Sequence, residues 1–165
     1  GLWRYKIGDT IQFTSKFPFR IKVSGRTKHF INAFGEELII DNAEKALSVA
    51  CLKTGAIVDE YTAGPVFLTN SKAGKHQWII EFKKEPDTLA KFSEALDEEL
   101  RKINSDYDAK RKGNMALEML EIRQVEKGTF YKWMKSKNKL GGQNKVPRLS
   151  NNRKYLEEIL TLIDA

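Results

Sequence analysis

The segment from residue 87 to residue 104 carries the longest amphipathic helix pattern in the chain and limits the folds open to it. Its apolar side chains recur every three or four residues, at Leu89, Phe92, Leu96, Leu100 and Ile103. That spacing places them on one face of a helix. A helix with one apolar face must bury that face against another element. We therefore expect a layered domain in which this helix covers a second layer.

Three further helices are predicted along the chain. Asp41 is expected to cap the first of them, with Glu44 three residues later in a capping-box arrangement. Thr129 is expected to cap a short helix, and a terminal helix is expected around residues 155–163. The apolar stripe of the first helix follows the helical period over Ala43, Ala46, Leu47, Ala50 and Cys51.

Alternation of apolar and polar residues predicts the strands. A β-hairpin is expected first, joined by a Phe-Pro-Phe turn, from residues 10–16 and 20–24. Three later strands are expected at 56–68, 76–84 and 117–128. The predicted order from residue 41 onward, α-β-β-α-β-α-α, indicates an α+β domain in which helices cover a mostly antiparallel sheet.

The composition excludes several classes of protein. One cysteine and two histidines among 165 residues argue against disulfides and against a cysteine- or histidine-rich metal site. No apolar run approaches the roughly 18 residues that span a bilayer. The net charge of +7, from 29 basic and 22 acidic residues, is compatible with nucleic acid, with phosphate-bearing small molecules or with an acidic partner. We expect a cytoplasmic chain that binds neither membrane nor nucleic acid, although a basic nucleic-acid- or partner-binding module stays open.

Local signals mark a few polar residues without deciding their roles. Lys145 lies in GGQNKVPR, which lacks the phosphate-loop spacing and the following Ser or Thr. It is either a cation on a movable loop or an ordinary solvated lysine. Asp9 follows Gly8 in YKIGD, where its carboxylate could accept bonds from two sugar hydroxyls or stabilise a turn. Arg26 and Lys28 leave a strand end together, and they either reach a phosphate or ribose or are ordinary strand-end charges.

Three segments taken together resemble the last three motifs of the adenylate-forming superfamily. They are YKIGD at 5–9, GRTKHFINAFGEELIIDNAE at 25–44 and NKVPR at 144–148. Within that superfamily, SKFPFRIKVSGRTKHFINAFGEEL and GGQNKVPRLSNNRKYLEEIL resemble the auxin-responsive Gretchen Hagen 3 family of acyl-acid amido synthetases, and we expect a bacterial member. The resemblance covers the whole chain but only the C-terminal part of such an enzyme.

The resemblance implies roles for individual residues. Asp9 would bind the ribose hydroxyls of ATP, and Arg26 and Tyr5 would also contact the nucleotide. Lys28 would lie at the hinge between two domains, so that residues 1–27 would end the large N-terminal domain and residues 28–165 would form the mobile C-terminal domain. In that domain Gly35 would lie in the loop along the second-substrate path, and Lys145 would be the catalytic lysine of adenylation.

The activity implied by the resemblance is ATP- and Mg²⁺-dependent condensation of a carboxylic acid with an amino acid. The acid would first form an acyl-adenylate, which the amine would then attack. The implied partner of this domain is its own N-terminal domain, without which we expect no activity. A ligase that transfers the acyl group to coenzyme A shares the first step and is the alternative within enzymes.

Overall fold

The computed structural model describes residues 8–26, 29–67, 73–114, 116–141 and 144–164. Its architecture is α+β, as expected. The strands are β1 (Asp9–Lys16), β2 (Phe19–Arg26), β3 (Phe30–Ile31), β4 (Leu38–Ile39), β5 (Ile57–Phe67), β6 (Gly74–Lys84) and β7 (Glu121–Val125). The helices are α1 (Ile40–Thr54), α2 (Leu89–Ile103), α3 (Ser105–Arg111), α4 (Thr129–Ser136) and α5 (Lys154–Ile163), with a 3₁₀ turn over Lys112–Asn114.

Strands β5, β6 and β7 form the central sheet in that order. Strands β5 and β6 are antiparallel, whereas β7 runs parallel to β6. Successive side chains of a strand point to opposite faces, and β6 shows this in the packing of its apolar residues. Trp78, Ile80 and Phe82 belong to a core shared with α1, α2 and α3, while Ile79 packs with α4 and α5. The sheet therefore has helices on both faces.

The predicted hairpin is confirmed as the antiparallel pair β1 and β2. The strands predicted at 56–68 and 76–84 are also confirmed, as β5 and β6, with slightly different ends. The third strand is shorter than predicted, since only Glu121–Val125 pairs with β6. The segment around Gly35, predicted to be a loop, is flanked by the two-residue strands β3 and β4, which pair with each other.

The observed helices begin at residues other than the predicted ones. Helix α1 begins at Ile40, because the chain leaves the β3–β4 pairing at Ile39, whose N–H donates to the side-chain oxygen of Asn42 at 3.3 Å. The prediction that Asp41 and Glu44 form its capping box is therefore wrong, and Asp41 instead pairs with Lys45 at 2.7 Å.

The starts of two other helices also differ from expectation. The N-cap of α2 is Thr88, whose hydroxyl accepts from the backbone N–H of Lys91 at 3.3 Å. At α4, Gly128 takes the N-cap position in the left-handed region, and Thr129 is the first helical residue. Helix α3 was not predicted, because its seven residues are too few to show a helical period.

Candidate functional site

An open cleft of about 1240 Å³ lies beside the segment that carries Lys145. Its other walls come from α1, from the ends of β5 and β6, and from α4. Charged side chains of both signs line it. The carboxylates are Glu44, Asp59, Glu60 and Glu81, and the cations include Lys139, Lys145 and Arg148.

Lys145 is exposed at this cleft on irregular backbone. Residues 144–148 have no helix or strand, which confirms the prediction that a loop rather than a helix carries the lysine. Among the parts of the chain that the structure describes, Lys145 has no ion-pair partner. Its ammonium is therefore available to an anion that enters the cleft.

The segment is attached to the sheet immediately after Lys145. The hydroxyl of Thr62 donates to the Pro147 carbonyl at 2.7 Å, and the N–H of Ala63 donates to the Arg148 carbonyl at 2.9 Å. The N–H of Ser150 then donates back to the Ala63 carbonyl at 3.0 Å. These bonds attach the chain to the edge of β5 from Pro147 onward, two residues after Lys145.

Arg148 reinforces this attachment through its side chain. Its guanidinium pairs with Glu44 and, at 3.5 Å, with Glu60, and it lies 5.0 Å from the centre of the Tyr61 ring. The Tyr61 hydroxyl donates to Glu44 at 2.9 Å, which links the cluster to α1. We name Glu44, Glu60, Tyr61 and Arg148 the arginine clamp.

The charges of the arginine clamp depend on its partial burial. Burial raises the pKa of Glu60, and the nearby Arg148 cation offsets this only in part. For Arg148 burial acts to lower the pKa, but the carboxylates of Glu44 and Glu60, together with Tyr61, raise it overall. Sequence reasoning gave Glu60, Tyr61 and Arg148 no individual role and assigned Glu44 to a capping box. The sequence feature that could have indicated a role is that Arg148 is the last residue of the NKVPR motif.

The predicted nucleotide residues lie on the hairpin as far as the structure describes them. Asp9 begins β1, and its Cα is paired in register with that of Arg26 at the end of β2. Tyr5 and Lys28 lie outside the described residues.

Gly35 lies away from this cleft, in the connection between β3 and β4. Its φ of +84° is in the region that favours glycine, and an added Cβ would lie 3.3 Å from the end of the Lys110 side chain. The described residues that line the Lys145 cleft do not include Gly35. The structure thus brings Asp9 and Arg26 together and keeps Gly35 and Lys145 in separate places.

Glu81 supports the wall of the cleft from within the sheet. Its carboxylate is buried and accepts the N–H of Gly128 at 2.6 Å and the N–H of Phe130 at 3.1 Å. Both N–H groups belong to the start of α4, where the helix dipole favours a negative charge. A residue of β6 therefore acts as the cap of a helix that follows it by almost fifty residues.

Replacing Glu81 by alanine is expected to lower the free energy of unfolding by about 1–3 kcal/mol, because two N–H groups lose their acceptor. Amide hydrogen exchange should accelerate most in α4, and urea denaturation should give the free-energy change. The matched control is Glu85→Ala, which removes an exposed carboxylate just beyond the same strand. An equal effect of the two substitutions would contradict the capping role.

Neither a membrane span nor a metal site is found in the described part of the chain. No helix there has the length and apolar character needed to cross a bilayer. The same residues contain no cluster of three or more histidine, cysteine or carboxylate side chains placed to hold a metal ion.

Comparisons with known proteins agree on one family. Residues 41–154 match the family model described as the GH3 family C-terminal domain. Two solved structures share the fold. One, named GH3.15 acyl acid amido synthetase, has a TM-score of 0.73. The other, AtGH3.15 acyl acid amido synthetase in complex with 2,4-DB, has a TM-score of 0.70.

The extent of these matches limits what they show. Each solved structure is 22% identical to this chain, and the match covers 98% of this chain but 30% of the other. At that identity the likeness concerns the fold. The chain spans about 30% of the length of the structures it matches. No curated protein sequence matches it.

Proposed function

Because the chain belongs to the GH3 family through its C-terminal domain, we propose that it works as the C-terminal domain of an ATP-dependent acyl-acid amido synthetase. In the first half-reaction a carboxylate oxygen attacks the α-phosphorus of ATP, and pyrophosphate leaves. In the second half-reaction an amino acid amine attacks the acyl carbon, the amide forms, AMP leaves and the amine loses a proton. The cytoplasm, where ATP and amino acids are available, is the compartment that we propose.

The observation that carries this proposal is the placement of Lys145. Its ammonium is exposed at an open cleft, without an ion-pair partner among the described residues, on backbone attached to β5. During adenylation an anionic acid approaches an anionic phosphate, and negative charge grows on the phosphate oxygens. A positioned cation lowers the energy of that state, chiefly through electrostatics.

The nucleotide would be shared between Lys145 and the hairpin. Asp9 and Arg26 are paired in register, which supports the proposal that both contact ATP, with Tyr5 as a third contact. A Mg²⁺ ion bound with ATP would neutralise part of the polyphosphate charge. The described residues contain no cluster suited to hold a metal ion.

The hairpin also supports the proposed division at residues 1–27 and 28–165. Its apolar face is more than half exposed, although apolar side chains ordinarily seek burial. Cross-strand pairing puts Ile11 opposite Val23 and Phe13 opposite Ile21, while the ring of Phe19 contacts that of Phe13. The exposed fractions range from 53% to 77% over Ile11, Phe13, Phe19, Ile21 and Val23.

We propose that the family's N-terminal domain covers this apolar face. The matched structures are more than three times as long as this chain, so the complete proteins have ample surface to bury it. Lys28 would then follow directly as the hinge. A rotation there would move the cleft of Lys145 away and bring the Gly35 segment to the acyl-adenylate for attack by the amine.

Replacing Phe19 by serine is expected to have different effects in the two contexts. In the 165-residue chain, where the ring is 77% exposed, the free energy of unfolding should change by less than about 1 kcal/mol. In the complete synthetase the lost burial should cost about 1.5–3 kcal/mol. Denaturant unfolding of both proteins measures the difference.

The control for this comparison is Lys22→Ser in the same strand, which should have little effect in either protein. Lys22 is exposed and pairs with Gln12 in the same ladder. If Phe19→Ser has the same effect with and without the N-terminal domain, the hairpin is not part of that domain's interface.

The proposed function is tested with the complete protein and a panel of carboxylic acids. Release of pyrophosphate that depends on one acid would support adenylation. Mass spectrometry of the product then separates an amide with an amino acid from a thioester with coenzyme A. If no acid gives pyrophosphate, while the chain binds nucleic acid with an affinity that falls steeply with salt, the basic binding module is correct instead.

A further inference from the structure

The Gly35 segment encloses a buried carboxylate that the proposed reaction does not use. Glu36 is completely buried, and its Oε1 lies 2.8 Å from Nε2 of His76, which is also buried. The other oxygen, Oε2, accepts the backbone N–H of Phe34 at 2.7 Å. The carboxylate is therefore held from β6 on one side and from its own turn on the other.

The second ring nitrogen of His76 indicates which of its two nitrogens carries the proton. Nδ1 is buried and has no hydrogen-bond partner in the described part of the structure. In a neutral ring, a proton on Nδ1 would therefore be an unsatisfied buried donor. The arrangement assigns the proton to Nε2, where it is donated to Glu36.

The turn that Glu36 closes has an unfavourable backbone. Gly35 and Glu37 both have positive φ, +84° and +42°. Side chains other than glycine adopt that region at a cost, and surrounding contacts must hold them there. The side chain of Asn104 contributes by donating to the Glu36 carbonyl at 2.9 Å, while its oxygen accepts the N–H of Tyr107 at 2.9 Å.

We propose that Glu36 is a positioning residue for the Gly35 segment, and that its buried bonds to His76 and Phe34 hold the segment in the shape that guides the incoming amine. This inference rests on the proposed function, because it assigns the segment to the second half-reaction. Burial favours the neutral acid, but the bonds from His76 and Phe34 outweigh it and hold the pKa of Glu36 below its ordinary value. The acceptor is therefore a carboxylate at neutral pH.

The discriminating substitution is Glu36→Gln, which keeps the size of the side chain. A glutamine has one oxygen and one NH₂ group, so it cannot accept from both His76 and Phe34. Either His76 moves its proton to Nδ1, or the N–H of Phe34 loses its acceptor. Glu37→Gln is the matched control, since it makes the same change at the next residue, which is exposed.

The first measurement is made on the 165-residue chain. ¹⁵N NMR of the histidine rings should show the Nε2–H form of His76 in the wild type, with His29→Gln assigning the only other histidine. In Glu36→Gln the ring should change tautomer, or the Phe34 amide should exchange faster with solvent. In Glu37→Gln both signals should match the wild type.

The second measurement separates the half-reactions in the complete synthetase. In Glu36→Gln we expect amide formation from preformed acyl-adenylate to fall about 10- to 100-fold, because a small misplacement of reacting groups has effects of that size. Pyrophosphate release should stay within about twofold of wild type. A role limited to stability would instead reduce both steps alike, and that result overturns the inference.

The two measurements also distinguish the inference from the proposed function. If the wild-type protein releases no pyrophosphate with any acid, the proposed function fails and the NMR result decides the positioning role alone. A His76 ring protonated on Nδ1 in the wild type overturns that role, as does a Glu36→Gln variant with unchanged ring and amide signals.

Discussion

Replacing Lys145 by alanine in the complete protein, the proposed synthetase, is expected to slow acid-dependent pyrophosphate release by on the order of a hundredfold or more, with ATP affinity largely kept. In the proposed mechanism the ammonium faces charge that develops in the transition state, and removal of one such group typically costs two to three orders of magnitude in rate. In that mechanism the ground-state complex would keep its contacts with Asp9, Arg26 and the metal-bound phosphates. The measurement is a continuous pyrophosphate assay at saturating acid, with ATP affinity from equilibrium binding.

Two further variants sharpen this test. Lys132→Ala removes an exposed cation of α4 outside the cleft-lining set and should leave the rate unchanged. Lys145→Arg keeps the charge but alters its shape and reach, so it should recover only part of the lost rate. If Lys145→Ala is as active as Lys132→Ala, Lys145 is an ordinary solvated lysine.

Amide formation from preformed acyl-adenylate provides an internal comparison. In the proposed mechanism the domain rotates before the amine attacks, so that Lys145 has left the reacting atoms. The same Lys145→Ala variant should therefore catalyse the second half-reaction at close to the wild-type rate. Equal losses in both steps would contradict a role restricted to adenylation.

Replacing Asp97 by alanine is expected to lower the free energy of unfolding by about 3–5 kcal/mol, because it removes the buried carboxylate that pairs with the guanidinium of Arg111. Nε of Arg111 lies 2.9 Å from one oxygen of Asp97, and Nη2 lies 3.0 Å from the other. The Tyr107 hydroxyl donates to the same carboxylate at 2.6 Å. Burial, with the adjacent negative charge of Asp97, raises the pKa of Tyr107 well above its ordinary value.

The matched control lies at the next residue of α2. Glu98 pairs with Lys53 at 3.3 Å, and its side chain is 61% exposed. Glu98→Ala should therefore lower the free energy of unfolding by no more than about 1 kcal/mol. Urea denaturation of the 165-residue chain gives both values, and a loss below about 2 kcal/mol for Asp97→Ala would show that the buried pair is not needed for stability.

The Asp97 pair also bears on the candidate site. Arg111 donates a further bond to the Leu117 carbonyl at 3.1 Å, and α3, which carries Arg111, is capped by the same Asn104 that bonds to the Glu36 backbone. Loss of the pair should thus loosen the support of the Gly35 segment before it affects the cleft of Lys145. Amide exchange in Asp97→Ala would show this order.

Local patterns in the sequence determined most of the elements. The stripes of α1 and α2, the alternation in β5 and β6, and the Phe-Pro-Phe turn of the hairpin are all properties of neighbouring residues, and each predicted its element. The motifs around Asp9, Gly35 and Lys145 predicted the family that the match over residues 41–154 then showed. The predicted helix starts were wrong. A cap such as Asn42 or Gly128 depends on the path of the backbone into the helix, which the local sequence pattern does not give.

Only the tertiary structure decided which distant residues meet. Glu36 and His76 are 40 positions apart, Glu81 and Gly128 are 47 apart, and Glu44 and Arg148 are 104 apart. In the sequence, a charged residue that will be buried against a distant partner cannot be distinguished from one that stays in solvent. The parallel pairing of β7 and the short helix α3 likewise depend on their neighbours in space. The sequence by itself thus determined the family, the layers and the candidate lysine, whereas the burial that pairs these charges exists only once the layers have packed.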